Sequence, residues 1–396
     1  MNRESAEASI ALTIRKRIAF AVVAACLAVT AGEVILRFAG GIVIHSRIGF
    51  LLWTQDEGAL RAGYASYLRR RDPVLGWPTT DALKTAMYGP GGARPGPAFS
   101  ASDEPCVDTF GDSFVYSEDV DDAHAWEEVA ARQLGCRVAN YGVGGYGTDQ
   151  ALLRSERIGA RARVAILGIH PENAMRNVNQ YRQFLGDAPY TFKPRYLLEP
   201  DGSLRLVPLP TLSDEAVNRV ATDPAVLPYE TFRPGSADGP VPWRMPYSLA
   251  LLRVVLHPRL VARVRGGTSW GAFLSPTHPS GALPLTVALA SEFDRRARAR
   301  GATQVFVLVF TTPASQFQHH KTGIWAEEPL VTGLSARGMA VLDLGPIFEH
   351  YLAERSICTV MRYPAQCDGH YNDEGYALVG RSVAAFIDAS RREAGH

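Results

Sequence analysis

Gly111-Asp112-Ser113 and, near the far end of the chain, Cys367-Asp368-Gly369-His370 hold the residue types that nucleophilic catalysis needs. A serine hydroxyl is a weak nucleophile until a base takes its proton, and a histidine titrating near neutrality suits that task. With one residue between them, Asp368 and His370 can project to the same side of an extended segment. There the carboxylate would hold the imidazole tautomer and stabilise the imidazolium. Two further stretches could serve a developing negative charge. Asn140-Tyr141-Gly142-Val143-Gly144-Gly145-Tyr146-Gly147 is rich in glycine, which lets backbone approach a ligand closely. Gly168-Ile169-His170-Pro171-Glu172-Asn173 adds polar side chains. Taken alone, Gly-Asp-Ser is also an ordinary turn.

The elements around these stretches give them meaning. Cys106–Phe110 reads as a buried strand, Arg137–Asn140 as a second and Val164–Leu167 as a third, with helical spacing over Ala123–Leu134 and Thr148–Ile158. The alternation resumes with a helix over Leu285–Arg300, a strand over Gln304–Phe310, a helix near Pro329–Arg337, a strand over Ala340–Leu342 and a last helix from Glu374 to Arg391. Strands alternating with helices predict a parallel sheet covered on both faces, with its site at the carboxyl ends of the strands. Ser113, the glycine run and the His170 stretch each follow a strand. Between Pro189 and Pro246 lie eleven of the 26 prolines, which excludes long helices and regular central strands there and predicts an insertion over the main domain.

The chain has 396 residues and a net charge of +1 with its basic residues scattered, which argues against nucleic acid as a partner. Arg15-Lys16-Arg17 precedes an uncharged apolar stretch, Ile18 to Gly32, that continues past Glu33 and Arg37 to Ile44. This reads as a retained signal anchor with its basic flank in the cytoplasm and the rest exported. Cleavage near Val29-Thr30-Ala31 is the alternative. Export suits cysteines paired as Cys106–Cys136, between neighbouring strands, and Cys358–Cys367, around a short loop. The expected division is residues 1–44 as cytoplasmic tail and anchor, 45–105 as a juxtamembrane region, and 106–391 as the main domain with an insertion at about 178–284.

Competing motifs are weaker. Gly142, Gly144 and Gly147 fit a dinucleotide-binding pattern, but that reading leaves Ser113 and His370 unused. His319-His320 reads as solvated surface, and no Cys/His spacing predicts a metal or other cofactor. The acidic run Glu118, Asp119, Asp121 and Asp122 is expected to favour the N-terminus of the helix that follows it.

The four stretches together resemble the SGNH, or GDSL, hydrolase superfamily, over about Val107 to Ala389. The resemblance implies a flavodoxin-like three-layer α/β/α sandwich, here with an N-terminal transmembrane helix and the proline-rich insertion. It also implies a triad of Ser113, His370 and Asp368, with an oxyanion hole from Ser113 N–H, Gly145 N–H and the Asn173 amide. Two departures from the family's pattern stand out. Three extra residues separate Gly168 from Asn173, so Asn177 and His170 are rivals for the oxyanion role. The last block is Asp-x-His rather than Asp-x-x-His, which looks like the variant in polysaccharide O-acetylation proteins. The implied activity is hydrolysis of an acylated small molecule or glycan outside the cytoplasmic membrane. The alternatives are an O-acyltransferase acting on an envelope polysaccharide and a non-catalytic glycan-binding or assembly protein.

Overall fold

The computed structural model describes residues 14–46, 48–78, 88–159, 161–186 and 190–393, so most of the tail before Arg15 lies outside the described residues. Apolar runs too short for helices form five strands: β1 (Val107–Phe110), β2 (Val138–Asn140), β3 (Val164–Ile169), β4 (Gln304–Val309) and β5 (Ala340–Asp343). They pair in the order β2-β1-β3-β4-β5, all parallel. That is the flavodoxin-like order, and its direction switches between β1 and β3.

Side-chain alternation divides the strands between two cores. Val305, Val307 and Val309 face one layer while Phe306 and Leu308 face the other. Ten helices are labelled in chain order: α1 (Ile14–Ile44), α2 (Ser113–Tyr116), α3 (Trp126–Leu134), α4 (Thr148–Ile158), α5 (Asn173–Asn177), α6 (Tyr247–Val255), α7 (Pro258–Val264), α8 (Ala282–Ala299), α9 (Leu344–Leu352) and α10 (Asp373–Glu393). Helices α4 and α8 cover the first face through Leu152, Leu289 and Phe293. Helices α3, α9 and α10 cover the second through Trp126, Phe348 and Val383. The chain is thus a three-layer α/β/α sandwich. Helix α1 stands apart, long and apolar enough to cross a membrane.

Two disulfides brace the domain. Cys106–Cys136 joins the entries to β1 and β2, and Cys358–Cys367 closes the loop of a small antiparallel pair, β6 (Met361–Tyr363) and β7 (Asp368–Tyr371). The Tyr371 hydroxyl donates to Thr311 O at 2.6 Å, which holds β7 over the carboxyl end of β4.

The proline-rich segment follows β3 and contains a hairpin, Arg195–Leu198 with Leu204–Val207. Charges anchor it to the sandwich. Lys193 Nζ donates to Asp149 on α4, with both side chains wholly buried, and also to Asn179 O and Pro194 O. Glu230 accepts the N–H groups of Gln180, Tyr181 and Phe232 at 2.6, 3.0 and 2.8 Å. Helix α6 begins directly after Pro246, and α7 follows at Pro258.

Replacing Lys193 with Met leaves the Asp149 charge buried without its cation and is expected to cost about 3–5 kcal/mol. Burial then raises the folded-state pKa of Asp149, so the loss should grow as pH rises from 5 to 8. Urea unfolding of wild type, Lys193→Met and Lys193→Met/Asp149→Asn checks this, and the double variant should recover much of the stability.

Candidate active site

Chain direction changes sharply where β1 ends. Asp112 has an extended backbone, and its Oδ1 accepts the Phe114 N–H at 2.9 Å, capping the one-turn helix α2 that Ser113 opens. As the first helical residue, Ser113 has no intrahelical acceptor for its own N–H. The Asp112 carboxylate is 1% exposed, and its Oδ2 takes two more donors, Asn173 Nδ2 and Arg176 Nη1, both at 3.0 Å. It therefore ties the turn that carries Ser113 to helix α5, which follows β3.

The loop after β2 closes on the same turn. Asn140 Nδ2 donates to Val115 O at 3.0 Å and its Oδ1 accepts the Gly142 N–H at 2.9 Å. A Cβ on Gly142 would lie 2.3 Å from Tyr116 N, so only glycine lets the two segments meet. Gly145 adopts φ +77. The Trp77 indole N–H donates to Gly144 O at 2.8 Å. Gly144 C=O and Gly145 N–H share one trans peptide, so this contact turns the Gly145 N–H away from the indole. Among the described residues that N–H has no backbone acceptor.

His370 lies on β7 against helix α2, its ring centroid 4.9 Å from that of Phe114. Its Nδ1 is 2.9 Å from Asp119 Oδ2, and its backbone N–H is 3.4 Å from the same oxygen. A carboxylate there fixes the proton on Nδ1 and leaves Nε2 as the basic nitrogen. Burial works to raise the Asp119 pKa, but the hydrogen bonds and charge of His370 outweigh it and hold the carboxyl below its usual range. Glu118 Oε2 approaches the other ring nitrogen, at 3.5 Å from Nε2. Burial lifts the Glu118 carboxyl above its usual range against the pull of His370, and the charges of Asp112 and Asp119 add to the rise.

The expected pairing of Asp368 with His370 is therefore corrected. Gly369 between them adopts φ +87, so the segment is not regularly extended and the two side chains do not project together. Asp368 is exposed and accepts the Gly369 N–H at 2.9 Å. Among the described residues no hydrogen bond or ion pair joins it to His370. The acidic run that reads as helix-favouring charge instead places a carboxylate, that of Asp119, against the His370 ring. Ser117, just before that run, and Asp119 within it both have left-handed backbones, φ 61 and 73, a cost on the order of 1 kcal/mol each. Arg94 holds the loop in this shape, donating to Tyr116 O, Ser117 O and Val120 O at 2.5, 2.7 and 2.7 Å and to Asp122 Oδ1 at 2.8 Å. Nothing in its sequence neighbourhood, a Gly/Pro-rich linker, marks Arg94 for this work.

Nor does Asn173 offer the free amide expected of it. Asn173 is 1% exposed, and its amide donates to Asp112 Oδ2 and to Tyr146 O at 3.0 Å, so both hydrogens are engaged. Asn177 bonds Thr286 Oγ1 on α8 at 2.8 Å, within the packed layer. His170 is the rival at the site. Its ring stacks on Phe114 with centroids 4.5 Å apart and planes 9° apart. Burial pushes its pKa down to about 4, against the charges of Asp112 and Glu172, so the ring is neutral at pH 7. Its Nδ1 accepts the Glu172 N–H at 3.4 Å, which places the ring proton on Nε2.

No family model matches the chain, and no curated protein matches it. Solved structures do. A protein from Desulfitobacterium hafniense DCB-2 assigned to the G-D-S-L lipolytic family matches at 10% identity with a TM-score of 0.32, over 70% of this chain and 97% of that one. A Lactobacillus plantarum protein matches at 11% identity with a TM-score of 0.31, over 73% of this chain and 99% of that one.

Removing the Asp112 carboxylate strands the Arg176 cation and the Asn173 amide in a buried site. Asp112→Ala is expected to lower stability by about 3–5 kcal/mol, read as a fall in the urea midpoint. Asp368→Ala, at an exposed position, should leave that midpoint within about 0.5 kcal/mol of wild type.

Proposed function

We propose that this chain is a membrane-anchored, extracytoplasmic serine enzyme of the SGNH kind that cleaves acyl esters through an acyl-enzyme, with Ser113 as nucleophile and His370 as base. In place of Asp368, Asp119 is the carboxylate that orients the base. The observation that carries this reading is the Asp119–His370 hydrogen bond, set against the helix that Ser113 opens, at the carboxyl end of β1 in a doubly wound sheet. The length and apolar character of helix α1 and the two disulfides support an exported domain tethered by its N-terminus.

In the reaction, Ser113 Oγ bonds the ester carbonyl carbon as His370 Nε2 takes its proton. Charge that develops on the carbonyl oxygen is met by the Ser113 N–H, the Gly145 N–H and the His170 Nε2–H in place of the Asn173 amide. Each such donor is worth about 2.7–4 kcal/mol when removed. The imidazolium then gives its proton to the departing alcohol. Water, deprotonated by His370, releases the acid and regenerates Ser113. Asp119 keeps the ring aligned and balances its positive charge in both halves. The substrate class is an acylated glycan or small acyl ester.

One observation favours transfer to a second hydroxyl as the other reading. The Glu118 carboxylate stands beside the basic nitrogen, where an attacking alcohol must approach, and can accept a hydrogen bond from a neighbouring sugar hydroxyl.

Incubation of the full chain in detergent with an aryl-ester-mimicking fluorophosphonate tests the proposal. Wild type should carry one adduct, mapped to Ser113 by peptide mass spectrometry, and Ser113→Ala none. Equal labelling of both proteins, or no labelling together with no hydrolysis of aryl acetates, would sink it.

A further inference from the structure

Helix α6 exposes the wrong residues for an aqueous surface. Leu249 and Leu252 are exposed at i and i+3 on α6, and Met245 just before the helix and Leu256 at its end are exposed too, at 72% and 64%. Leu251, Val255 and, on α7, Val264 widen the stripe. The opposite side of α6 is already used: Ala250 and Val254 pack on Leu51, Leu52 and Val241. No Asp or Glu occurs from Gly239 to Ser291, whereas Arg244, Arg253, Arg263 and Arg265 are exposed there.

The same element is fastened to α1. Glu33 of α1 accepts the Tyr247 N–H and, at 3.0 Å, the Ser248 N–H, so it caps the start of α6. Trp243 packs so closely on Gly40 that a Cβ there would meet its indole nitrogen at 1.9 Å. At ~1.5 Å per residue, Arg17 and Arg37 stand about 30 Å apart, the thickness of a bilayer's hydrocarbon core. Glu33 then falls roughly 6 Å inside the boundary farther from the N-terminus. Interfacial helices bury their apolar faces to about that depth, ~5–10 Å. The two N–H groups of α6 satisfy a carboxylate that would otherwise be costly at such a depth.

We propose that Met245–Val264 lies in the leaflet of the bilayer at which α1 emerges, its apolar stripe among the acyl chains and its arginines on lipid phosphates. This inference rests on the reading that α1 spans the membrane. It makes the protein's attachment a two-element platform, with the domain held at a fixed height and orientation rather than swinging from a tether.

Depth-dependent quenching of the full-length chain tests it. In a Cys26→Ser background, single cysteines at Leu252, at Val23 within α1 and at Tyr363 on the far hairpin are labelled with an environment-sensitive fluorophore. The protein is reconstituted into phosphatidylethanolamine/phosphatidylglycerol vesicles with or without nitroxide-bearing lipid. The expected result is strong lipid quenching and a blue shift at both Leu252 and Val23, with several-fold weaker lipid quenching and free iodide quenching at Tyr363. Lipid quenching at Val23 but iodide access at Leu252 would overturn the inference while leaving the anchor intact. No lipid quenching at either site would overturn both. Shielding of Leu252 from lipid and iodide alike would mean that a second copy covers the stripe, which also overturns it.

Discussion

Around Asp112 there is almost no water, yet three donors from two segments converge on its carboxylate. Phe114 N–H belongs to the turn that presents Ser113, while Asn173 and Arg176 belong to the short helix α5 that follows β3. A buried carboxylate is tolerated only when its lone pairs are filled, so those segments must sit where they do. The strand order places them together in the first place. Because the sheet reverses direction between β1 and β3, the loops leaving those strands diverge and open a crevice at their carboxyl ends. Asp112 is the bolt across that crevice, and Asn140 is a second strap from the β2 side.

Much of this was legible in the sequence because it is local. Short apolar runs ending in Gly-Asp-Ser or in a glycine-rich turn reveal where strands stop, and a residue at a strand end stays there whatever else folds. Ser113, Gly145 and His370 were singled out that way. Asp119 was not, since 251 residues separate it from His370 and its neighbours look like helix-favouring charge. Asp368 misled because alternation along a strand presumes extended backbone, and Gly369 departs from it. Asn173 misled for another reason. A side chain's spacing from a motif says nothing about whether its hydrogens are already bonded, and here one goes to the buried Asp112 carboxylate and the other to Tyr146 O. Helices α6 and α7 escaped notice because the prolines before them dominate the pattern.

Outside the crevice, buried charge recurs as the means of attaching irregular chain to a regular sandwich. The proline-rich segment cannot add strands to the sheet, so it docks through Lys193 on Asp149 and through Glu230 gathering three backbone N–H groups. Arg94 does the same for the tight loop that carries Glu118 and Asp119, where left-handed residues would relax without it. Each contact spans two segments remote in sequence. The Asp119 carboxylate can therefore sit on a short strained loop and still meet His370 at hydrogen-bond distance.

The account turns on which carboxylate serves His370. The most direct measurement is kcat/KM for aryl acetate hydrolysis by Asp119→Asn beside Asp368→Asn. Loss of the tautomer-fixing carboxylate from a serine–histidine pair lowers turnover on the order of 10⁴-fold. The account predicts a loss of that order for Asp119→Asn and near-wild-type activity for Asp368→Asn. The reverse pattern, an active Asp119→Asn and an inactive Asp368→Asn, would contradict it.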